Sequence, residues 1–131
     1  MLVKFKVFDK QLKVVREVKN IDYDNAELTF YSDNIVDKKD GQYLDIVRDF
    51  GDVIFLMSTG LIDKDGAEIY EGDICYWEKD GFRGIFNVGY GTESLKWIAD
   101  ANFRCSDLSN YKDYYLKIIG NVYEGSQLYQ E

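Results

Sequence analysis

Residues 55–77 read F-L-M-S-T-G-L-I-D-K-D-G-A-E-I-Y-E-G-D-I-C-Y-W, and their punctuation decides the fold. The apolar run Phe55-Leu56-Met57 is short and stops near Gly60, which suits a buried strand better than a helix of three or more turns. Asp63-Lys64-Asp65-Gly66 is a turn: Asp65 tolerates positive φ, and Gly66 takes it at no steric cost. A loop of this kind between apolar arms predicts a hairpin. Glu71-Gly72-Asp73 predicts a second turn, and Ile74, Cys75, Tyr76 and Trp77 then begin a strand rich in β-favouring types.

Working outward, Lys79-Asp80-Gly81 is a further hairpin loop, with a return strand at residues 84–88 that Gly89-Tyr90-Gly91 interrupts as a bulge. Residues 95–99, carrying Trp97, read as another strand. Residues 107–115 are polar and tyrosine-rich, with room for one helical turn. Residues 116–119 form a closing strand, Gly120-Asn121 a turn, and residues 126–130 a frayed end. Toward the N-terminus, Val3, Phe5 and Val7 alternate with Lys4 and Lys6, the period of a half-buried strand. A turn at Asp9-Lys10-Gln11 leads to a return strand over residues 12–18, and such a pair must dock on something to be stable. Residues 28–31 read as a short strand, and residues 42–50 fit a helical and an extended period equally well. Gly51 and Asp52 mark a seam between an N-terminal β-rich region, residues 1–52, and a second domain, residues 53–131. With no proline and no Ser/Gly-rich run, a packed joint and no flexible linker is expected there.

Three stretches carry a resemblance. The central one runs from Ser58-Thr59-Gly60-Leu61 through Asp63-Lys64-Asp65-Gly66 to Glu68-Ile69-Tyr70-Glu71-Gly72-Asp73-Ile74. Phe5-Lys6-Val7-Phe8-Asp9-Lys10 precedes it, and Ile119-Gly120-Asn121-Val122-Tyr123-Glu124 follows. Together they resemble the signature of the YopX-like proteins of phages and prophages, in the family's order and over almost the whole chain. Ser58, and Gly125-Ser126-Gln127 at the end, depart from the usual pattern. The resemblance implies a mainly β protein with some α+β character, whose C-terminal half is an SH3-like barrel packed with an N-terminal β-hairpin region. It also marks a structural signature: Thr59, Gly60, Leu61, Asp63, Gly66, Ile69, Tyr70, Glu71, Gly72, Asp73, Gly120, Asn121 and Tyr123. The biochemical role of that family is unassigned.

Composition bounds what such a chain does. Its 131 residues suffice for a real core, and 46% hydrophobic with 16% aromatic content argues against disorder. No apolar run reaches the length of a spanning helix, and the alternating N-terminus is unlike a signal peptide, so the chain is expected in the cytoplasm of a bacterial host. Net charge is −8, which opposes general affinity for phosphate backbones. It is unevenly spread: residues 1–19 carry +4 and the other 112 carry −12.

Histidine is absent, which removes the usual general base, the commonest metal ligand and every Ser-His or Cys-His pair. Asp63, Asp65, Glu68, Glu71 and Asp73 gather five carboxylates in eleven residues, but the glycine is fourth where an EF-hand loop needs it sixth. They read as turn-formers, with no metal expected. Gly84 and Gly89 lack the Lys-Ser/Thr of a phosphate loop. Cys75, among Ile74, Tyr76 and Trp77, reads as core packing, and Cys75 and Cys105 form no C-x-x-C pair. No catalytic residue and no cofactor are expected, and the chain reads as no enzyme. The eleven tyrosines, Tyr111, Tyr114 and Tyr115 among them, suit packing or a binding surface. A phage accessory protein acting through protein contact fits best, as a homo-oligomer or with a phage or host protein. The alternatives are a nucleic-acid-associated module and an acidic DNA mimic that inhibits a host protein.

Overall fold

A computed structural model describes residues 5–30, 38–39, 42–43, 46–101 and 104–125. They fall into two compact units along the chain, one ending at Leu56 and the other beginning at Met57. That division lies inside a strand, a few residues past the 3₁₀ turn Phe50–Asp52.

The N-terminal unit is built from β1 (Phe5–Asp9), β2 (Val14–Asp22), β3 (Glu27–Phe30), β4 (Lys38–Lys39), β5 (Gln42–Tyr43), β6 (Ile46–Asp49) and the start of β7 (Val53–Ile62). Its main sheet runs β6-β3-β2-β1-β7, and β4 pairs with β5 alone. Val7, Leu28, Phe30 and Val53 form the core, with Val18, Ile21, Ile46 and Phe50 packed on them. Residues 42–50, ambiguous by period, are therefore extended where described and close with a 3₁₀ turn. Pairing of Phe30 with Ile46 and Thr29 with Val47 decided the matter, because a strand partner outweighs a weak local preference. Asp9 is fully buried, and its Oδ1 accepts from Gln11 N and from Arg48 Nε at 3.0 Å. The β1–β2 return strand starts at Val14 and extends to Asp22, further than residues 12–18.

The C-terminal unit continues β7, which pairs with β8 (Glu68–Tyr70). It then forms β9 (Asp73–Lys79), β10 (Phe82–Gly91), β11 (Lys96–Ala101), β12 (Arg104–Asp107) and β13 (Tyr115–Asn121), with a 3₁₀ turn at Leu108–Tyr111. All the registered pairs are antiparallel, in the order β12-β11-β10-β9-β13. Among the described residues this sheet is open and not a closed barrel, within the mainly β class that the sequence implies. Closure needs the first and last strands to pair, and among the described residues β12 and β13 do not. Ile69, Cys75, Phe86, Val88, Ala99, Leu108 and Leu116 make the core. Full burial of Phe86 contributes about 2–3 kcal/mol relative to exposure.

Three local expectations are corrected. Asp65 does not adopt positive φ; Gly66 alone does in that turn, at +82°. Gly89-Tyr90-Gly91 forms no bulge, for β10 runs unbroken against β11 from Asn87 to Gly91. Gly120-Asn121 is the end of β13 and not a turn, and the irregularity falls between Ile118 and Gly120, where one extra residue is inserted.

Candidate functional site

The signature residues converge, and what they make is a clamp. Asp63 Oδ1 accepts from Asp65 N at 2.9 Å and Ala67 N at 3.0 Å, closing the β7–β8 loop. Its Oδ2 accepts from Ile118 N at 3.2 Å, and Lys64 N donates to Leu116 O at 2.8 Å. Two backbone groups of β13, Leu116 O and Ile118 N, are thus taken up by the loop, which blunts that part of the edge against pairing. Partial burial works against the charge on Asp63, yet the N–H donors of Ile118, Ala67 and Asp65, with Lys117, outweigh it and hold the carboxyl below its ordinary 3.8.

Thr59 Oγ1 donates to Ile69 O at 2.7 Å and accepts from Leu61 N, with Gly60 at φ +83° between them. Leu61 packs on the core that holds the fully buried Ile69. Around the second turn, Asp73 Oδ2 accepts from Tyr70 N at 2.7 Å, and Asn121 Nδ2 donates to Asp73 Oδ1. Asn121 Oδ1 in turn accepts from Tyr123 N. Glu71 N donates to Met57 O, Gly72 N to Val88 O, and Val122 N to Gly72 O. Gly120 sits opposite Ile74 in the ladder. At Gly72, φ is +88° and an added Cβ would lie 2.6 Å from the Tyr123 ring, so two independent reasons require glycine. The side chains of Thr59, Asp63, Asp73 and Asn121 are spent on structure. Among the described residues, no three carboxylates, cysteines or histidines gather as metal ligands.

Both cysteines are held toward the neutral thiol. Burial pushes the Cys75 thiol up to about 12, helped by the charges of Asp73 and Asp63. Cys105 is exposed, but desolvation and its Sγ–H bond to Asp100 Oδ1 at 3.5 Å raise its pKa as well. Both shifts favour the thiol over the thiolate at neutral pH. Gly84 faces Trp77, whose Nε1 would be 2.7 Å from an added Cβ, so its glycine accommodates the indole and not a phosphate.

A cluster of exposed groups lies around the β9–β10 hairpin. Asp80 and Gly81 turn it with φ of 52° and 86°, two successive positive values of the kind a tight two-residue loop needs. Glu78, Lys79, Phe82, Arg83 and Tyr115 line an open groove of about 440 Å³. Phe82 is 72% exposed and Tyr115 41%. On the same side, Tyr76 meets Tyr115 edge to face at 6.2 Å, and its hydroxyl donates to Glu78. That bond, with desolvation and the Glu78 charge, raises the Tyr76 pKa, while Arg83 acts the other way. Lys64 stands 5.3 Å from the Tyr115 ring, and its pKa is raised by a hydrogen bond to Tyr115 and by Asp65. Lys117 and Asp65 pair at 3.3 Å.

Of the tyrosines singled out by sequence, Tyr111 and Tyr114 pack against Trp77 and serve the core; Tyr115 faces out. Sequence reading missed Tyr76, Phe82 and Arg83 as surface groups. The usable signal was period two across the Asp80-Gly81 loop, which puts Glu78 and Arg83 opposite each other.

Fold and surface together define a small, mainly antiparallel β protein with an open aromatic groove at one hairpin tip. Within that class, the chain belongs to the YopX family: the model of that family, described as YopX protein, matches residues 4–130. Among solved structures it is similar to protein EF1440 from Enterococcus faecalis, at 20% identity and a TM-score of 0.64, covering 99% of each chain. At that identity the likeness speaks to fold alone. No curated protein matches the sequence. No helix among the described residues is long and apolar enough to cross a membrane.

Proposed function

We propose that this chain is a non-enzymatic phage or prophage accessory protein of the host cytoplasm that acts by protein contact, first of all with copies of itself. One observation carries the reading: the polar side chains of Thr59, Asp63, Asp73 and Asn121 are hydrogen-bonded inside the fold, while Phe82, Arg83 and Tyr115 stand exposed around a groove. Aromatic residues and arginine are the types enriched where proteins meet. The uneven charge, +4 on residues 1–19 and −12 on the remainder, adds complementary surfaces for neighbouring copies.

Light scattering behind a sizing column tests it. At tens of micromolar protein in low salt, a mass above 15.3 kDa is expected, decreasing as salt screens the charges. A monomer under those conditions would overturn the assembly part of the proposal.

A further inference from the structure

The N-terminal unit carries a counterpart to this groove at the turn joining β2 to β3. Residues 22–27, D-Y-D-N-A-E, hold three acids and no base. Tyr23 is 77% exposed, more than any other large apolar side chain of the described residues, with one edge contact to Phe50 at 6.2 Å. The turn is already ordered: Asp22 Oδ1 accepts from Asp24 N and Asn25 N, and Asn25 Nδ2 donates to Asp22 Oδ2 at 2.7 Å. A prong ordered beforehand loses less entropy on docking. Beside it, Glu27 and Asp49 stand directly opposite each other in the β3–β6 ladder. Like charges so placed destabilise a sheet. Among the described residues neither is ion-paired, so an arriving cation would relieve the repulsion.

The groove supplies that cation. Four of the seven bases in residues 57–125, namely Lys64, Lys79, Arg83 and Lys117, lie at it or beside it. Lys64 and Lys117 already share Asp65, and Lys79 stands 4.9 Å over the Tyr114 ring, which leaves exposed Arg83 as the base best placed for a new carboxylate. Its guanidinium takes carboxylates two N–H bonds at a time.

We propose that the groove of one copy receives the Tyr23 turn of a second copy, with the Tyr23 ring on Phe82 and Tyr115 and the acidic turn facing Arg83. The contact is heterologous, one surface on each unit, and joins copies head to tail. It names the partner within the assembly reading above and rests on it.

The test uses the full chain as wild type, Tyr23→Ala and Arg83→Gln, each followed by light scattering, with a thermal melt to check folding. Both positions are exposed, so the melts are expected to match wild type. Each variant is expected to weaken association about tenfold or more. Mixed one to one, they are expected to recover a dimer that grows no further, because each supplies the surface the other lacks. A wild type that assembles while both variants assemble equally well overturns this contact and leaves the assembly reading standing. Variants that dissociate but fail to recover on mixing overturn the head-to-tail pairing. A monomeric wild type overturns both readings.

Discussion

The loops at residues 63–67 and 79–82 are both hairpin tips with an aspartate next to or near a positive-φ glycine, yet they use their polar atoms in opposite ways. Asp63 turns its carboxylate inward, to three backbone N–H groups on two segments. Asp80 accepts nothing of the kind among the described residues; it only takes φ of 52° so that the chain can reverse, and Phe82 and Arg83 are left in solvent. Changes in the first loop should therefore act on stability, and changes at the second on association. The residues by which the family is recognised are the ones that build it.

The sharpest test of the inward side is Gly72→Ala. Added Cβ atoms at positive φ are strained, and this one also meets Tyr123, so a loss of about 3–4 kcal/mol is expected in urea denaturation. Asp63→Ala, which strands three backbone donors, should cost about 3 kcal/mol by the same measurement. A loss below about 1 kcal/mol in either would show that the clamp is not what holds this edge.

Acid unfolding refines the point. Because the folded Asp63 pKa lies below 3.8, its contribution is fully present above the unfolded value and is lost as pH falls through the lower folded one. Asp63→Asn should thus be less stable than wild type at neutral pH, with the two converging at the acid end. Parallel curves would exclude Asp63 as the source.

The outward side predicts smaller effects on stability. Phe82→Ser should change it by no more than about 0.5 kcal/mol, since an exposed ring gives up little on removal. Thiol labelling sets the scale for reactivity: native protein should react slowly at Cys105, faster as pH rises, and Cys75 should label only after denaturation. Two equally fast thiols in the native state would contradict the burial of Cys75.

Much of the architecture was legible. Paired turns at Gly66, Gly72 and Gly81, the core role of Cys75 and the helical turn after Asp107 follow from local chemistry, because each depends on a few neighbouring residues. Residues 42–50 were not legible, since both periods matched and only pairing with β3 selected one. Barrel closure was not legible for a related reason: it depends on which distant edges meet.

What the chain determined by itself was a mainly β protein punctuated by glycine turns, its family membership, and a surplus of aromatics without histidine chemistry. Only tertiary structure decided that Asp63 and Asn121 reach across about fifty residues to lock β13 and the second turn, leaving Tyr115 and Phe82 for the surface. The physical reason is range. Turn preference and side-chain period are properties of a few adjacent residues, whereas hydrogen bonds between distant segments depend on a register that no local pattern encodes.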